Sequence, residues 1–364
     1  MLTCLHAADF HLDSPFDALP PEQAAERRQE QRELLSRLAA LAVERKVDLV
    51  LLSGDLFDGG QTFYETTLAL ARALGQIKAP VFIAPGNHDF YNSRSPYASV
   101  PWPDNVRIFT SGQMERVELP GLKCAVYGAA FTAPARESSL LEGFQPQEDA
   151  GLARLMVLHG ELAPQGKYNP ITPEQLAASG MDYVALGHIH AHGGLCRAGK
   201  VCYAYPGCPE GRGFDELGDK GVLLGTLEEN GCRVEFVPLC KRRYEILSVD
   251  VTDRDPAEAL AAALPEDRRE DICRVLLTGE SDVGGVDLSA LAPLLDGKFY
   301  HGSLRDHTTV RRDLWARAGE DTLTGLFLQE MAQRLGEASE EDKPLLERAV
   351  RFGLAALEGG EEPI

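Results

Sequence analysis

Short apolar runs alternate with longer stretches of helical periodicity over the first 240 residues. "LTCLHAA" (2–8) and "VDLVLLSGD" (47–55) are of strand length and almost wholly apolar, the pattern of strands covered on both faces. Between them, residues 22–46 set Leu34, Leu35, Leu38, Leu41 and Ala42 at helical spacing behind Pro20-Pro21. Residues 64–76 predict a second helix, and "APVFIAPGNHD" (79–89) a third buried strand. Further strands are expected at 123–131, 154–161 and 182–190. Two more, at 220–228 and 232–239, follow a Gly-rich loop that opens with Pro206-Gly207. Strand–helix–strand alternation predicts a layered α/β domain with a partly parallel sheet, ending near residue 240.

Beyond it, "CKRRY" (240–244) turns basic and reads as a linker. Residues 245–307 predict a compact βαβαβ unit with strands "EILSVDV", "ICRVLLT" and "KFYHGSL". Its first helix starts at Asp255-Pro256, an N-cap followed by Pro at N1. Leu323, Leu326, Phe327, Met331 and Leu335 then share one helical face, closed by Gly336. "PLLERAVRFGLAAL" (344–357) is a second amphipathic helix, and the last residues, "EGGEEPI", are expected to fray.

The apolar runs of the first part end in residues that bind metal. The first gives Asp9 and His11, two apart and so on one side of an extended segment. The second gives Asp55, with Asp58 three further on; the third gives Asn87, His88 and Asp89. Later ends give His159, then His188 and His190. Ligand sites in open α/β sheets lie outside the carboxyl ends of the strands, so these groups are expected to converge. Each fragment alone also fits a cap, a turn or a hydrogen-bonded core histidine. That bland reading must be repeated at five strand ends. Two close dications need an anionic bridge, and Asp55 is the candidate. Imidazoles and the neutral Asn87 carbonyl complete the shells without cancelling the charge that attracts a phosphodiester.

Composition narrows the setting. In 364 residues, 56 Asp and Glu against 36 Lys and Arg give a net charge of −20, which argues against coating nucleic acid by charge alone. A nuclease stays open, because metal ions bring their own positive charge. The eight cysteines form no C-x-x-C pair. Cys196, Cys202 and Cys208, six apart, match no zinc spacing. Free buried thiols in a reduced, cytoplasmic setting are expected. No apolar run approaches the roughly 18 residues of a membrane span, and the first residues carry no basic leader.

In this order "DFH", "GDLFD", "GNHD", "LHGE" and "GHIH" resemble the calcineurin-like metallophosphoesterase superfamily, over roughly residues 1–240. "AADFHLDSP", "GDLFDGG" and "YPGCPEGRGFDELGDKGVLL" (205–224) are similar to SbcD-type DNA repair nucleases, most closely their YhaO-like branch. The resemblance implies an α/β fold: a four-layer αββα metallophosphoesterase core in 1–240, a small α+β capping domain in 245–307, and C-terminal helices in 321–357. It implies two divalent ions, manganese by expectation, with iron(II) or zinc as alternatives. One would take Asp9, His11, Asp55 and His190; the other Asp55, Asn87, His159 and His188. His88 resembles the non-ligand catalytic histidine, with Asp58 orienting it and Asp89 bracing the loop.

The function so implied is metal-dependent exonuclease or endonuclease action on DNA ends or hairpins in repair, with an SMC-like coiled-coil ATPase docking on the C-terminal helices. A homodimer is compatible with it. "KRR" (241–243) and "RRD" (311–313) are candidate DNA-backbone contacts, or solvated charge. One alternative is a phosphomonoesterase or a phosphodiesterase for another substrate. Phosphoprotein phosphatases of the superfamily carry an Arg that "GDLFDGGQ" lacks. The other alternative is a scaffold for DNA ends or an ATPase, with cleavage secondary.

Overall fold

The computed structural model describes residues 1–59, 62–148, 151–228, 231–266, 268–282, 285–311, 315 and 317–358. The chain divides into two compact units, Met1–Arg243 and Tyr244–Ile364.

The first unit holds two six-stranded sheets. In one, β1 (Leu2–Ala7), β2 (Leu49–Leu52), β3 (Val81–Ile83) and β4 (Val106–Ile108) run parallel, and β11 (Gly221–Glu228) and β12 (Gly231–Pro238) extend it antiparallel beyond β1. In the other, β6 (Cys124–Gly128), β7 (Ala153–His159), β8 (Tyr183–Gly187) and β10 (Val201–Tyr205) are parallel. Its antiparallel edges are β5 (Glu115–Leu119) and β9 (Gly194–Ala198).

The period-2 alternation of strand side chains builds the layers. Val50 and Leu52 of β2 face a core shared with Leu34 and Leu38 of helix α1 (Pro21–Glu44) and Leu70 and Leu74 of helix α2 (Tyr64–Gly75). Their neighbours Leu49 and Leu51 face the other way, into a core with Val126, Leu155, Val157 and Tyr183 of the second sheet. Behind that sheet, Tyr127, Met156, Leu158 and Val184 pack with Leu176. Leu176 lies on a short helix, Pro173–Ala178, started by a capping box between Thr172 and Gln175. The order helix, sheet, sheet, helix is the expected αββα arrangement. β4, β5, β9 and β10 lie outside the elements that the apolar pattern predicts.

The second unit has three parallel strands, Tyr244–Asp250, Arg268–Thr278 and Phe299–Asp306, in that order across the sheet. Asp255 caps the helix Pro256–Ala263, accepting from the N–H groups of Ala257 and Glu258. Two helices, Leu323–Glu337 and Lys343–Glu358, bury Leu328, Met331, Val350 and Leu354 together with Val310. The inward face is set by Thr324, Leu328 and Met331, so Leu323 and Leu326 of the expected apolar face are exposed instead. The last six residues lie outside the described ones. Among described residues, no helix is long and apolar enough to cross a membrane.

"KRR" is only partly a solvated face: Lys241 is exposed and Arg243 half-buried, each with an acidic neighbour, and Arg242 is buried. Arg242 is buried against Glu30, Lys241 pairs with Glu30 at 2.9 Å, and Arg243 lies 3.7 Å from Asp219. Of "RRD", Arg311 lies 3.3 Å from Asp253, and the other two residues fall outside the described set. All eight cysteines are free, six of them buried.

Candidate metal centre

Parallel pairing brings the carboxyl ends of β1, β2 and β3 side by side, and likewise those of β7 and β8. The loops that leave β1 and β2 stay in register: the Asp9 N–H donates to the Gly54 carbonyl and the His11 N–H to that of Asp55, both at 3.0 Å. The backbone there is unusual. Asp9 (φ 55°), His11 (φ 44°), Asp55 (φ 51°) and His188 (φ 110°) lie in the region that most side chains avoid. Each such position costs on the order of 1–3 kcal/mol and persists only where its surroundings impose it. At Gly86 a side chain is excluded, because a Cβ would collide with the Asp55 carboxylate.

All seven expected ligands meet. Asp55 Oδ2 lies 3.3 Å from His159 Nε2 and 3.8 Å from His11 Nε2, while its Oδ1 accepts the His88 N–H at 2.9 Å. On one side His159 Nε2 is 2.9 Å from Asn87 Oδ1, and Asp55, His159 and His188 form a tight cluster. On the other, Asp9, His11 and His190 form a second cluster. Asp9 accepts the His188 N–H at 3.0 Å, which ties the two together.

Three imidazoles have their Nδ1 engaged. His159 Nδ1 donates to the Ser53 carbonyl at 2.8 Å, His190 Nδ1 sits 2.7 Å from Glu216 Oε1, and His11 Nδ1 sits 3.1 Å from Asp58 Oδ1. A partner at one nitrogen leaves the other as the ligand atom. Consequently His11 Nε2 and His190 Nε2 face each other at 3.1 Å. Two lone pairs so placed need a shared proton or a cation between them.

The electrostatics agree. Burial pushes the Asp9 carboxyl up to about 7, and His159 and His190 pull it back only in part. Burial opposes the charged form of His159 as well, yet Asp55 and Asp9 hold it up at about 9. Asp55 is held below the usual carboxylate range, because His159 and His11 outweigh its burial. Burial lowers His11 and His188 to about 4 each. His11 and His188 are thus kept neutral, with lone pairs free to bind an ion beside the Asp9 and Asp55 carboxyls. This donor set of imidazole, carboxylate and one amide oxygen fits divalent ions.

His88 lies at the mouth, its side chain 47% exposed. Asp58 Oδ1 is 3.9 Å from His88 Nδ1, farther than its 3.1 Å hydrogen bond to His11. Asp89 turns inward and accepts from the N–H groups of Leu56 and Gly86 and from Tyr97 Oη, which braces the loop. Burial, with Asp55 nearby, raises it to about 6.

Sequence reasoning missed Glu216, Arg212, Tyr168 and Asn169. Tyr168 packs its ring on His188 at 4.9 Å, and Asn169 Nδ2 donates to the His159 carbonyl at 2.8 Å. The stretch "EGRGFDELGDKG" reads as a loop, but nothing in its spacing marks Arg212 or Glu216.

Comparison with known proteins gives a consistent picture. Residues 2–192 match the calcineurin-like phosphoesterase family. The chain is 33% identical over 271 residues to a protein of Bacillus subtilis (strain 168) described as uncharacterized metallophosphoesterase YhaO, which covers 71% of this chain and 65% of that one. That match therefore spans just under two thirds of the relative. It is 23% identical over 338 residues to the DNA double-strand break repair protein Mre11 of Saccharolobus solfataricus, covering 86% of this chain and 84% of that one. With the SbcD component of the Bacillus subtilis nuclease SbcCD it shares 24% identity over 258 residues, 59% of this chain and 63% of the relative.

Proposed function

The chain belongs to the calcineurin-like phosphoesterase family, and from that premise we propose that it is a two-metal phosphodiester hydrolase acting on DNA ends. The observation that carries the reading is the Asp55 carboxylate, set between His159 and His11 with one cluster of donors on each side. Asp9, His11, Asp55 and His190 would hold one ion; Asp55, Asn87, His159 and His188 the other. Two divalent ions, manganese in this reading, would supply Lewis acidity and activate water at neutral pH.

The remaining work falls to side chains. His88, exposed beside Asp58, steadies the phosphate and hands a proton to the leaving oxygen. Glu216 and Asp58 hold the Nδ1 positions of His190 and His11, which fixes the tautomers and aims the rings. Asp89 keeps the loop of Asn87 and His88 in place through four hydrogen bonds.

DNA as substrate is supported by the relatives named for double-strand break repair and nuclease activity. In the same reading residues 245–307 form a cap, and helices in 321–357 dock on an SMC-like ATPase. Exposed Leu323, Leu326, Leu345 and Phe352 on those helices favour such docking. The test is cleavage of linear duplex and hairpin DNA with Mn²⁺, with and without EDTA, beside hydrolysis of p-nitrophenyl phosphate. Metal-dependent cutting that His88→Asn abolishes is expected. Monoester turnover without cutting would favour a phosphatase, and DNA processing that survives His88→Asn would favour a scaffold.

A further inference from the structure

One cation stands at the mouth of the site, and the mechanism so far leaves it without a role. Among the described residues, Arg212 is the only arginine or lysine in ion-pair contact with Asp9, Asp55, Asp58, Asp89 or Glu216. Its anchoring is firm. The Arg212 backbone N–H donates to Glu216 Oε2 at 2.7 Å, and Nη2 donates to Glu216 Oε1 at 2.8 Å. Nη2 also lies 3.1 Å from His190 Nδ1, so the guanidinium shares the carboxylate that orients that ring. Nη1 differs: it is 3.6 Å from Asp58 Oδ1, beyond hydrogen-bond length, and no described residue accepts from it.

A line of side chains therefore runs along the rim: Glu216, Arg212, Asp58, His88. Their side chains are 3%, 21%, 27% and 47% exposed, opening steadily toward solvent. The guanidinium is fixed at one end and open at the other, one carboxylate away from the residue that handles the reacting phosphate. A planar fork held this way suits a phosphate oxygen better than a flexible ammonium does. In an acidic chain it also supplies local attraction that the net charge denies.

We propose that Arg212 binds the phosphate next to the scissile one, so that the site favours a nucleotide chain over a small phosphodiester. The proposal rests on the phosphodiester-hydrolase reading and adds the group that selects polymeric substrate.

The experiment compares Arg212→Gln and Arg212→Lys with wild type on two substrates: a short single-stranded DNA oligonucleotide, and bis(p-nitrophenyl) phosphate, which has no flanking phosphate. Bound manganese and thermal melting are measured on each variant. Arg212→Gln is expected to raise KM for the oligonucleotide about 10- to 100-fold while leaving KM for the small diester and the metal content unchanged. Arg212→Lys should recover part of the loss, because it restores charge without the fork. An equal rise of KM on both substrates would overturn the assignment to the flanking phosphate, as would unchanged kinetics. A fall in metal content or melting temperature in both variants would make Arg212 a structural support of Glu216 and overturn it too. A wild type inactive on both diesters would instead defeat the parent reading, and this proposal with it.

Discussion

Two groups of buried charge lie in the same unit and differ in how they are answered. In the first, Arg27 pairs with Glu30 at 2.6 Å and with Glu210 at 2.7 Å, and Arg242 pairs with Glu30 at 2.6 Å. The two buried arginines meet two buried carboxylates, the more exposed Lys241 and Arg37 add positive charge at 2.9 Å from Glu30 and 3.5 Å from Glu210, and the backbone N–H of Lys241 reaches Glu210 at 3.1 Å. The network ties α1 to the loop after β10 and to the end of the unit. In the second, Asp9 and Asp55 are as deeply buried, yet their neighbours are histidines. Burying an unpaired charge costs several kcal/mol, so such a cluster is a poor structural device. The first group is complete by itself; the second is left with donor atoms that the proposed ions would complete.

Substitutions on each side test that contrast. Asp55→Ala should have the largest effect, removing the carboxylate proposed to bridge the two clusters. Turnover should fall on the order of a thousandfold or more, with bound divalent metal lost from the purified protein by elemental analysis. His88→Asn comes next: about 10²- to 10⁴-fold lower kcat with full metal content. If metal were lost as well, His88 would belong to the ligand shell.

Glu30→Gln should act on the other group alone. It leaves Arg242 and Arg27 buried with less countercharge and should lower stability by about 3–5 kcal/mol in denaturant titration, with metal content unchanged. A pH series sharpens this. Burial opposes the Glu30 charge, but hydrogen bonds from Arg242, Lys241 and Arg27 win and hold its pKa at about 2, below the ordinary 4.5. The folded protein thus binds the proton less readily than the unfolded chain. The stability is present above about pH 4.5, drains as pH falls toward 2, and should be missing from the Glu30→Gln curve.

The smallest expected effect is that of Glu216→Gln, which keeps the shape but weakens the hold on His190 Nδ1. Divalent-metal affinity should drop about 10- to 100-fold, read by calorimetry with Mn²⁺ as the probe, with little change in folding. A change confined to melting temperature would move Glu216 from the open cluster to the closed one.

The sequence made the central layers legible because β1, β2, β3, β7 and β8 are covered on both faces and read as unbroken apolar runs. Three of the four strands it hid lack that mark. β4 is only three residues long, behind Pro101 and Pro103. β5, "ERVEL", is a half-exposed edge strand carrying charge. β9, "GLCRA", mixes polar and apolar residues, whereas β10, "VCYAY", is apolar and covered on both faces but only five residues long, between Lys200 and Pro206. For the metal centre, residues at strand ends were readable, since a strand end fixes where the next side chains go. Arg212 and Glu216 sit on a loop between β10 and β11, where only the folded path brings them to His190. Asp58 was expected beside His88, but its nearer bond is to His11, which depends on ring positions that spacing does not encode. Within "KRR", composition could not tell that Arg242 faces Glu30 rather than water.

The left-handed backbone at Asp9, His11 and Asp55 imposes a second filter on evolution and on the engineer. Among the few residue types that tolerate this conformation, aspartate, asparagine and histidine are enriched several-fold, and all three also offer donor atoms. Glutamate and cysteine pass the chemical test and gain no help from the conformational one. The repertoire at these three positions is therefore narrow, and re-tuning the centre for a softer metal would demand rebuilding the loops before exchanging any ligand.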